Sequence, residues 1–304
     1  MPHSIVNISD NVVLDARGPK NNIDATRAYG CFNDPEYTCN GKIELHTIIL
    51  TSNKECSFKC AMCDLWKNTT SDSVKQGVIT KQIKDALDSV TWAPHIKIYN
   101  AGSFFDRKSI PEQDTIDIAN LLQDRETIIV EAHPRIVGNS TYEYADLLKP
   151  KLEVAMGLET VDPIVLPRLN KKMTLHDFEQ ATINLIEHEI SVRAFILLRT
   201  PWQSEEEGIH WAKKSIDFAQ SIGVECCTII PTRRGNGLIE KLEEQGDFSP
   251  PSLYSLEEAL SYGINKKQGR VFADLWDINQ FGSDDKCIGR IKEMNDTQGV
   301  TCAL

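Results

Sequence analysis

Three cysteines lie within eight positions in the segment CSFKCAMC, and their type and spacing indicate metal or redox chemistry. They are Cys56, Cys60 and Cys63, out of nine cysteines in the chain. In a reducing compartment, cysteines are more often metal ligands or catalytic groups than disulfides. A structural zinc site needs four ligands, and no histidine occurs between Cys63 and His95 to complete it. An iron–sulfur cube with one open iron needs only three thiolates.

The elements that must position these cysteines alternate between strands and helices from residue 43 onward. Apolar, β-branched runs predict strands over 43–52, 95–102, 126–134, 152–160, 191–201 and 225–232. Helical spacing and capping residues predict helices over 78–90, 114–124, 141–148, 174–189, 204–223 and 237–246. Such alternation is typical of a parallel sheet with right-handed crossovers. The sequence therefore predicts an α/β fold, a partial (βα)6 TIM-like barrel with parallel strands.

Two less regular segments flank the predicted barrel. Residues 1–42 are predicted to form an irregular N-terminal extension, and residues 43–246 form the barrel itself. Residues 247–304 are predicted to be a C-terminal extension covering the barrel, with a helix over 252–263 and a further strand near 270–278. Active sites of parallel α/β folds lie at the carboxyl ends of the strands. The cysteine segment directly follows the first predicted strand, so we expect it at that catalytic end.

Charge and hydropathy restrict the class of protein. The chain has 33 basic and 44 acidic residues and a net charge of -11. This balance disfavours an extended nucleic-acid surface and favours a small-molecule or modified-base substrate, or a partner protein that binds the nucleic acid. No apolar run approaches the roughly 20 residues that span a bilayer. The N-terminus also lacks the basic and apolar regions of a signal peptide. A cytoplasmic protein without membrane contact is expected.

The CxxxCxxC motif on a loop after the first strand of a β–α barrel resembles the signature of the radical SAM superfamily. The resemblance implies a [4Fe-4S] cluster on Cys56, Cys60 and Cys63, whose open iron binds the amino and carboxylate groups of S-adenosyl-L-methionine (SAM). It further implies that an external electron donor reduces the cluster, that SAM is cleaved to a 5′-deoxyadenosyl radical, and that this radical abstracts a substrate hydrogen. The residue before the last cysteine, often aromatic in the superfamily, is Met62. The resemblance implies that its backbone contacts adenine.

Further strand ends match SAM-binding positions of the superfamily. The second predicted strand ends in NAGS at the position of a Gly-rich motif, although the usual Gly-Gly-Glu is not preserved. The resemblance implies that the SAM amino group is bound by Ala101, Gly102 and Ser103. Glu159 ends the fourth predicted strand and is implied to contact the SAM ribose or methionine. Arg199 ends the fifth, and its guanidinium fork suits the SAM carboxylate. An ordinary glycine turn and a solvated carboxylate remain the alternatives for these positions.

Longer stretches resemble one branch of the superfamily. They are IYNAGSFFD (98–106), VEAHPRIV (130–137), VAMGLETVDP (154–163), LNKKMTLHDFEQA (169–181) and AFILLRTPWQSEEEGI (194–209). They resemble the radical SAM subunit of archaeosine synthase and, more distantly, the catalytic domain of Elongator-type enzymes. In the archaeosine family a C–N bond is cleaved in a lysine adduct of a deazaguanine base on tRNA, with help from a separate tRNA-binding partner. The resemblance therefore implies lyase-type C–N cleavage of an amine- or lysine-bearing substrate.

Charged residues after two other strands are candidates for substrate binding. Glu131, His133 and Arg135 follow the third predicted strand and could hold an ammonium or a carboxylate. Arg233 follows the sixth and could bind a phosphate or a carboxylate. Solvated loops are the alternative in both cases.

The remaining cysteines and the overall function leave alternatives open. Four cysteines from the two ends of the chain could form a second zinc or cluster site, or they could be ordinary thiols: Cys31, Cys39, Cys287 and Cys302. The chain could also be a radical SAM enzyme of another small-molecule pathway that performs methylation or rearrangement. A zinc-stabilised, non-enzymatic binding protein is the alternative from another class. Such a protein would be colourless, would contain stoichiometric zinc and would not respond to SAM.

Overall fold

The computed structural model describes residues 8–300 of the chain. The strands are β1 (Gly30–Tyr37), β2 (Ile43–Thr51), β3 (His95–Asn100), β4 (Thr127–Glu131), β5 (Lys151–Glu159), β6 (Ser191–Leu198), β7 (Cys226–Pro231) and β8 (Arg270–Ala273). The α-helices are α1 (Asp10–Ala16), α2 (Val78–Leu87), α3 (Glu112–Leu121), α4 (Asn139–Leu147), α5 (Val165–Arg168), α6 (Leu175–Glu187), α7 (Glu205–Ser221), α8 (Leu238–Glu244), α9 (Leu253–Asn265) and α10 (Asp285–Thr297). Short 3-10 helices cover Leu65–Asn68, Pro134–Ile136 and Ile278–Phe281.

One eight-stranded sheet in the order β1 to β8 organises the fold. β1 is antiparallel to β2, and all the following neighbours are parallel. The six predicted strands are β2 to β7, so the predicted partial barrel of parallel strands is confirmed. The sheet curls back on itself, because Arg193 on β6 reaches Glu36 on β1 at 2.7 Å. No helix between residues 8 and 300 has both the length and the apolarity needed to cross a membrane.

The sheet extends beyond the predicted barrel at both edges. The N-terminal extension is not irregular throughout, because it contains α1 and β1, and β1 pairs with β2 along its whole length. Its sequence, GCFNDPEY, was predicted to be irregular because Asp34 and Pro35 are typical of turns. Proline is tolerated in this strand because β1 is an edge strand. At the other edge, the possible strand near 270–278 is confirmed as β8, with four residues. The domain boundaries at residues 42 and 246 remain a prediction.

Capping residues fix where the two long helices of the barrel begin. Thr174 accepts a hydrogen bond from the Asp177 backbone and forms a capping box at the start of α6. Ser204 and Glu207 form the same arrangement at the start of α7. The buried faces of both helices join the main apolar core on the outside of the sheet. The helices therefore cover the outer face of the barrel and leave its inner face for polar groups.

A buried ionic network closes the amino-terminal end of the barrel interior. Arg193 contacts Glu36 at 2.7 Å and Glu153 at 2.6 Å, and Arg270 contacts Glu153 at 3.4 Å. Although burial disfavours ionised Glu36, Arg193 and Lys97 hold its pKa well below the usual range. These strand-start residues fill the interior at this end. A small-molecule ligand therefore has to enter the barrel interior from the carboxyl ends of the strands.

Candidate active site

The three cysteines lie on the loop that follows β2, at the carboxyl end of the sheet. Each is a free, partly buried thiol. Burial raises the pKa of all three thiols, and that of Cys60 to about 12. Cys56 adds to the rise at Cys60, and both of these thiols add to the rise at Cys63. The three sulfurs therefore lie close enough to repel one another as thiolates, and a bound metal group would relieve that repulsion.

The spacing of the sulfurs fits a cluster better than a single zinc ion. Within residues 8–300, just one group of His, Cys, Asp or Glu side chains brings three ligand atoms within 4.8 Å of one another, and it contains no cysteine. A zinc ion holds thiolates at about 2.3 Å, so its sulfur ligands must lie closer together than that limit. The three cysteine sulfurs of the described chain are therefore not all within 4.8 Å of one another, and an iron–sulfur cube, which holds its thiolates on separate irons, suits that spacing.

Backbone hydrogen bonds fix the cysteine loop to neighbouring loops. The Cys56 N–H donates to the Ala101 carbonyl at 3.1 Å, which joins the loop to the end of β3. The Ala61 N–H donates to the Leu169 carbonyl at 2.8 Å, which joins it to the segment after α5. Met62, the next residue, packs against a small apolar cluster that contains Leu169 and Leu197. The loop thus has a fixed position even though it has no regular secondary structure.

Two asparagine side chains complete the attachment of the cysteine loop. Asn170 donates to the Lys59 carbonyl at 2.7 Å. Asn236 donates from Nδ2 to the Ala61 carbonyl at 2.6 Å, while its Oδ1 accepts from Leu238 N–H and Ile239 N–H at the start of α8. Asn236 therefore both begins a helix and holds the residue between the second and third cysteines.

We expect Asn236→Asp to separate these two roles. Aspartate keeps the oxygen that caps α8 but lacks the N–H donor, so the buried Ala61 carbonyl loses its partner at a cost of about 1–3 kcal/mol. The expected result is a folded protein with near-normal helix content that incorporates less iron on anaerobic reconstitution. Iron per chain and far-UV circular dichroism check this. Equal iron content in wild type and Asn236→Asp would show that the side chain has no role in positioning the loop.

The segment from Asn100 to Ser103 contains unpartnered polar groups beside the cysteine loop. Within the described chain, both side-chain polar atoms of Asn100 and the Ser103 hydroxyl are buried without a hydrogen-bond partner. Buried polar atoms normally have partners, so this segment fits a polar ligand such as the amino acid portion of SAM. A Cβ on Gly102 would lie 3.1 Å from Ser109 Oγ and 3.6 Å from Cys56 Cα. Glycine at this position therefore allows the two loops to approach closely.

Glu159 is buried in an ion pair rather than solvated. It ends β5 with a positive φ of 64° and pairs with Lys171, and each residue is only 7% exposed. Burial opposes the charge on Lys171, but Glu159 and the thiols of Cys60 and Cys56 raise its pKa above the usual value. A Cβ on Gly157 would lie about 2.0 Å from Glu159 Oε1 and 2.2 Å from Lys171 Nζ, so glycine makes room for the pair. Lys171 is thus a buried cation next to the cysteines.

The guanidinium of Arg199 forms its contacts with residues outside the cysteine loop. It pairs with Glu205 at the start of α7, and its Nη1 donates to the Pro250 carbonyl at 2.7 Å. Its backbone has a positive φ of 53° and packs closely against Gly208. The structure therefore does not bring Arg199 together with the cysteines, and its predicted contact with the SAM carboxylate remains a prediction.

Three candidate residues lie at the end of β4 and just after it. Within the described chain, the Glu131 carboxyl forms no ion pair, whereas His133 and Arg135 have fixed partners. Burial raises the pKa of Glu131 to about 8, although the Asn100 backbone N–H and Lys171 oppose the shift. His133 contacts the Lys171 carbonyl at 2.9 Å, accepts from the Arg135 N–H and stacks on Phe58. Arg135 donates to the Lys172 carbonyl at 3.0 Å. His133 and Arg135 therefore hold the 171–172 loop, whereas Glu131 is available to a ligand.

Arg233 follows β7 and lies near Asp64, the residue after Cys63. It pairs with Asp274, just after β8, at 2.7 Å, and its buried Nε has no partner within the described chain. Burial raises the pKa of Asp64, the residue after Cys63, while Lys67 and Arg233 oppose the rise. Tyr29, just before β1, lies near the same groups. Burial, together with the charges of Glu131 and Asp64, raises the pKa of its hydroxyl to about 12. Three acidic groups, Asp64, Asp274 and Glu131, thus lie in this region together with two cations, Arg233 and Lys67.

Sequence reasoning missed several residues that the structure places at the site, namely Tyr29, Phe58, Asn170, Lys171 and Asn236. The motif LNKKMTLHDFEQA contains two of them, but only as part of a resemblance.

The remaining cysteines do not form a second site among residues 8–300. Cys31 and Cys39 lie near opposite ends of β1, and Cys287 donates to Glu257 in a separate part of the molecule. Cys302 is outside the described residues. Cys226 and Cys227 are buried in β7 as part of the core.

Two curated proteins of known name resemble the chain in sequence. It is 29% identical to archaeosine synthase subunit beta of Methanosarcina acetivorans over 213 residues, which cover 66% of this chain and 60% of that protein. It is also 29% identical to archaeosine synthase subunit beta of Thermococcus kodakarensis over 227 residues, covering 71% of this chain and 69% of that protein. The chain thus spans less than two thirds of the length of the first relative. These relatives confirm the resemblance found in the motifs. No protein-family model matches the chain.

Solved structures share the fold at low sequence identity. Methylornithine synthase PylB superposes with a TM-score of 0.54 at 12% identity, covering 89% of this chain and 77% of PylB. Streptococcus suis SuiB bound to S-adenosylmethionine gives a TM-score of 0.53 at 14% identity, covering 75% of this chain and 46% of SuiB. The shared element is the curled, mostly parallel sheet, which confirms the predicted TIM-like partial barrel.

Proposed function

We propose that this chain, a relative of archaeosine synthase subunit beta built on a radical SAM barrel, is a radical SAM enzyme. Cys56, Cys60 and Cys63 would hold a [4Fe-4S] cluster, and SAM would bind beside it. The observation that carries this proposal is the placement of three free thiols on one loop at the carboxyl end of the sheet, next to buried polar groups without partners in the described chain. When bound and reduced, such a cluster would supply the electron for reductive cleavage of SAM, and the resulting 5′-deoxyadenosyl radical would take a hydrogen atom from the substrate.

The protein's own residues prepare the site for these groups. Lys171 stabilises negative charge on Cys56 and Cys60, because its ammonium lowers the pKa of both thiols against the effect of burial. Lys59 donates to the Cys56 carbonyl at 2.6 Å and fixes the turn after the first cysteine. SAM binding is proposed for the residues predicted from the superfamily, together with Asn100: Met62, Ala101, Gly102, Ser103, Glu159 and Arg199. Lys171, which acts electrostatically on Cys56 and Cys60, is proposed as a second cation for the SAM carboxylate beside Arg199.

For the substrate, we propose an amine- or lysine-bearing molecule that undergoes C–N bond cleavage. The relatives are named archaeosine synthase subunits. The acidic lining of Glu131, Asp64 and Asp274 suits a cationic amine, and Arg233 beside Asp274 suits a carboxylate. A tRNA-binding partner protein and an external electron donor complete the proposal. The net charge of -11 is compatible with a partner that binds the tRNA.

The deciding experiment is anaerobic reconstitution with iron and sulfide, followed by dithionite and SAM. We expect a brown protein that forms 5′-deoxyadenosine, detected by mass spectrometry. A lysine-bearing deazaguanine nucleoside is the first substrate to add, with and without a tRNA-binding partner. S-adenosylhomocysteine as the main SAM product would favour a methylase. A colourless protein with one zinc on the cysteines would favour the non-enzymatic alternative.

We expect Glu131→Gln to stabilise the protein increasingly as the pH rises. The folded-state pKa of about 8 lies above the ordinary carboxyl value, so this residue's contribution to stability is complete below about pH 4.5 and is lost as the pH rises to 8. Glutamine has no such loss. The melting temperature of the variant minus that of wild type should therefore grow from pH 5 to pH 8 and level off above it.

Differential scanning fluorimetry at pH 5, 6.5, 8 and 9 checks the prediction for Glu131. Glu206→Gln, which removes an exposed carboxylate from α7, is the matched control and should show a flat difference. The same Glu131→Gln protein should show a higher KM for an amine substrate, because the Glu131 carboxyl can ionise when an ammonium binds beside it, whereas glutamine cannot. If the difference in melting temperature between Glu131→Gln and wild type did not change with pH, the Glu131 carboxyl of the wild type would have an ordinary pKa.

A further inference from the structure

One histidine and two glutamates meet at the amino-terminal end of the sheet, opposite the end that carries the cysteine loop. Glu44 is the second residue of β2, His95 begins β3, and Glu126 immediately precedes β4. One carboxylate oxygen of each glutamate and one ring nitrogen of His95 all lie within 4.8 Å of one another. These three strands are neighbours in the parallel sheet, so the fold itself brings the three side chains together.

Among residues 8–300, no lysine or arginine forms an ion pair with the Glu44 or Glu126 carboxylate, although the Thr38 hydrogen bond and, more weakly, Lys42 lower the pKa of Glu44. His95 Nε2 lies 3.2 Å from Glu44 Oε2, and no ion pair is formed by the Glu126 carboxylate with any residue in the range 8–300. Two carboxylates at this separation repel each other. A doubly charged cation between them would convert the repulsion into attraction.

The ligand atoms are already oriented by neighbouring groups. Thr38 Oγ1 donates to Glu44 Oε2 at 2.9 Å, and this hydrogen bond fixes the carboxylate. The His95 ring is only 4% exposed and stacks on His46 at 4.6 Å. Hydrogen bonds and packing that orient ligands in this way are typical around metal sites. Glu126 is exposed, so a cation has a path of entry from solvent.

We propose that Glu44, His95 and Glu126 form a binding site for a divalent cation. One imidazole and two carboxylates are a ligand set suited to Zn²⁺ or Mn²⁺, with water in the remaining positions. Because binding requires the lone pair of a ring nitrogen, a proton on that nitrogen leaves for solvent. The ion would tie together the starts of β2, β3 and β4 and stabilise the barrel. The site shares no residue with the cysteine loop, so it does not depend on the proposed function.

Mn²⁺ is the probe, because it prefers carboxylate and imidazole ligands to thiolates. Titrating the full-length protein with Mn²⁺ should remove the electron paramagnetic resonance signal of aqueous Mn²⁺ up to one equivalent and raise the melting temperature. Glu126→Gln, a surface change that leaves the fold intact, should weaken binding at least about tenfold. His95→Ala should abolish it. His176→Ala is the matched control, because His176 is an exposed histidine 3.8 Å from Glu179, and it should bind as wild type does.

Two outcomes would overturn the proposal. The first is that no Mn²⁺ binds when one equivalent is added to the protein. The second is unchanged affinity in Glu126→Gln, which would assign the binding to other surface carboxylates of this acidic chain. Both are distinguishable from a failure of the radical SAM proposal, because neither measurement involves iron, sulfide or SAM.

Discussion

Replacing Cys60 with alanine is expected to abolish both cluster assembly and reductive cleavage of SAM. Cys60 lies between the other two ligands, and its thiol is electrostatically coupled to both of them. With one thiolate removed, two remain, and a cube held by only two protein ligands loses iron. We expect iron per chain to fall to background, the visible absorption to disappear, and 5′-deoxyadenosine to fall below detection.

The matched control for this experiment is Cys39→Ala. Cys39 is an exposed free thiol that follows β1, and it has no contact with the cysteine loop. The variant should take up iron and form 5′-deoxyadenosine as wild type does. If Cys60→Ala retained wild-type iron and 5′-deoxyadenosine, the assignment of the cluster to this loop would be wrong. If wild type and Cys39→Ala bound one zinc and no iron while Cys60→Ala lost that zinc, the zinc-stabilised alternative would be favoured.

The six central strands were predictable because strands buried on both faces form apolar, β-branched runs. The runs at 43–52 and 191–201, for example, correspond to β2 and β6 with ends shifted by one to three residues. β1 was not predictable on the same basis, because an edge strand needs little apolar sequence. Its pairing with β2 and its contacts across the barrel, such as Glu36 with Arg193, compensate for its polar composition.

The candidate site likewise contains residues that the sequence could predict and residues that it could not. The cysteine ligands could be predicted because three chemical groups of one type are close in sequence and follow a strand. Lys171 and Asn236 could not, because each reaches the cysteine loop from more than 100 residues along the chain. The orientation of Arg199 was also unreadable from the strand pattern. Its partner Glu205 lies in the next helix, and the choice between that carboxylate and a ligand depends on backbone conformation after β6.

Replacing Lys171 with methionine is expected to reduce both folding stability and cluster assembly. Methionine keeps the apolar volume but leaves the buried Glu159 carboxylate without its partner, which costs about 3–5 kcal/mol. Cys56 and Cys60 also lose the cation that favours their thiolates, so their pKa values rise further. We expect a lower urea midpoint and slower iron incorporation, with the defect in incorporation greatest at low pH, where thiolates are scarcest.

A double variant separates the two roles of Lys171. Lys171→Met with Glu159→Gln removes both charges, so stability should recover, whereas iron incorporation should stay slow because the cation beside the thiols is still missing. Lys172→Met is the matched control, since that neighbouring lysine is 47% exposed and forms only a 3.4 Å surface pair with Asp10. Full recovery of iron uptake in the double variant would show that Lys171 acts on the fold alone. Persistent slow uptake would identify Lys171 as a group that helps the buried Cys56 and Cys60 thiols to ionise.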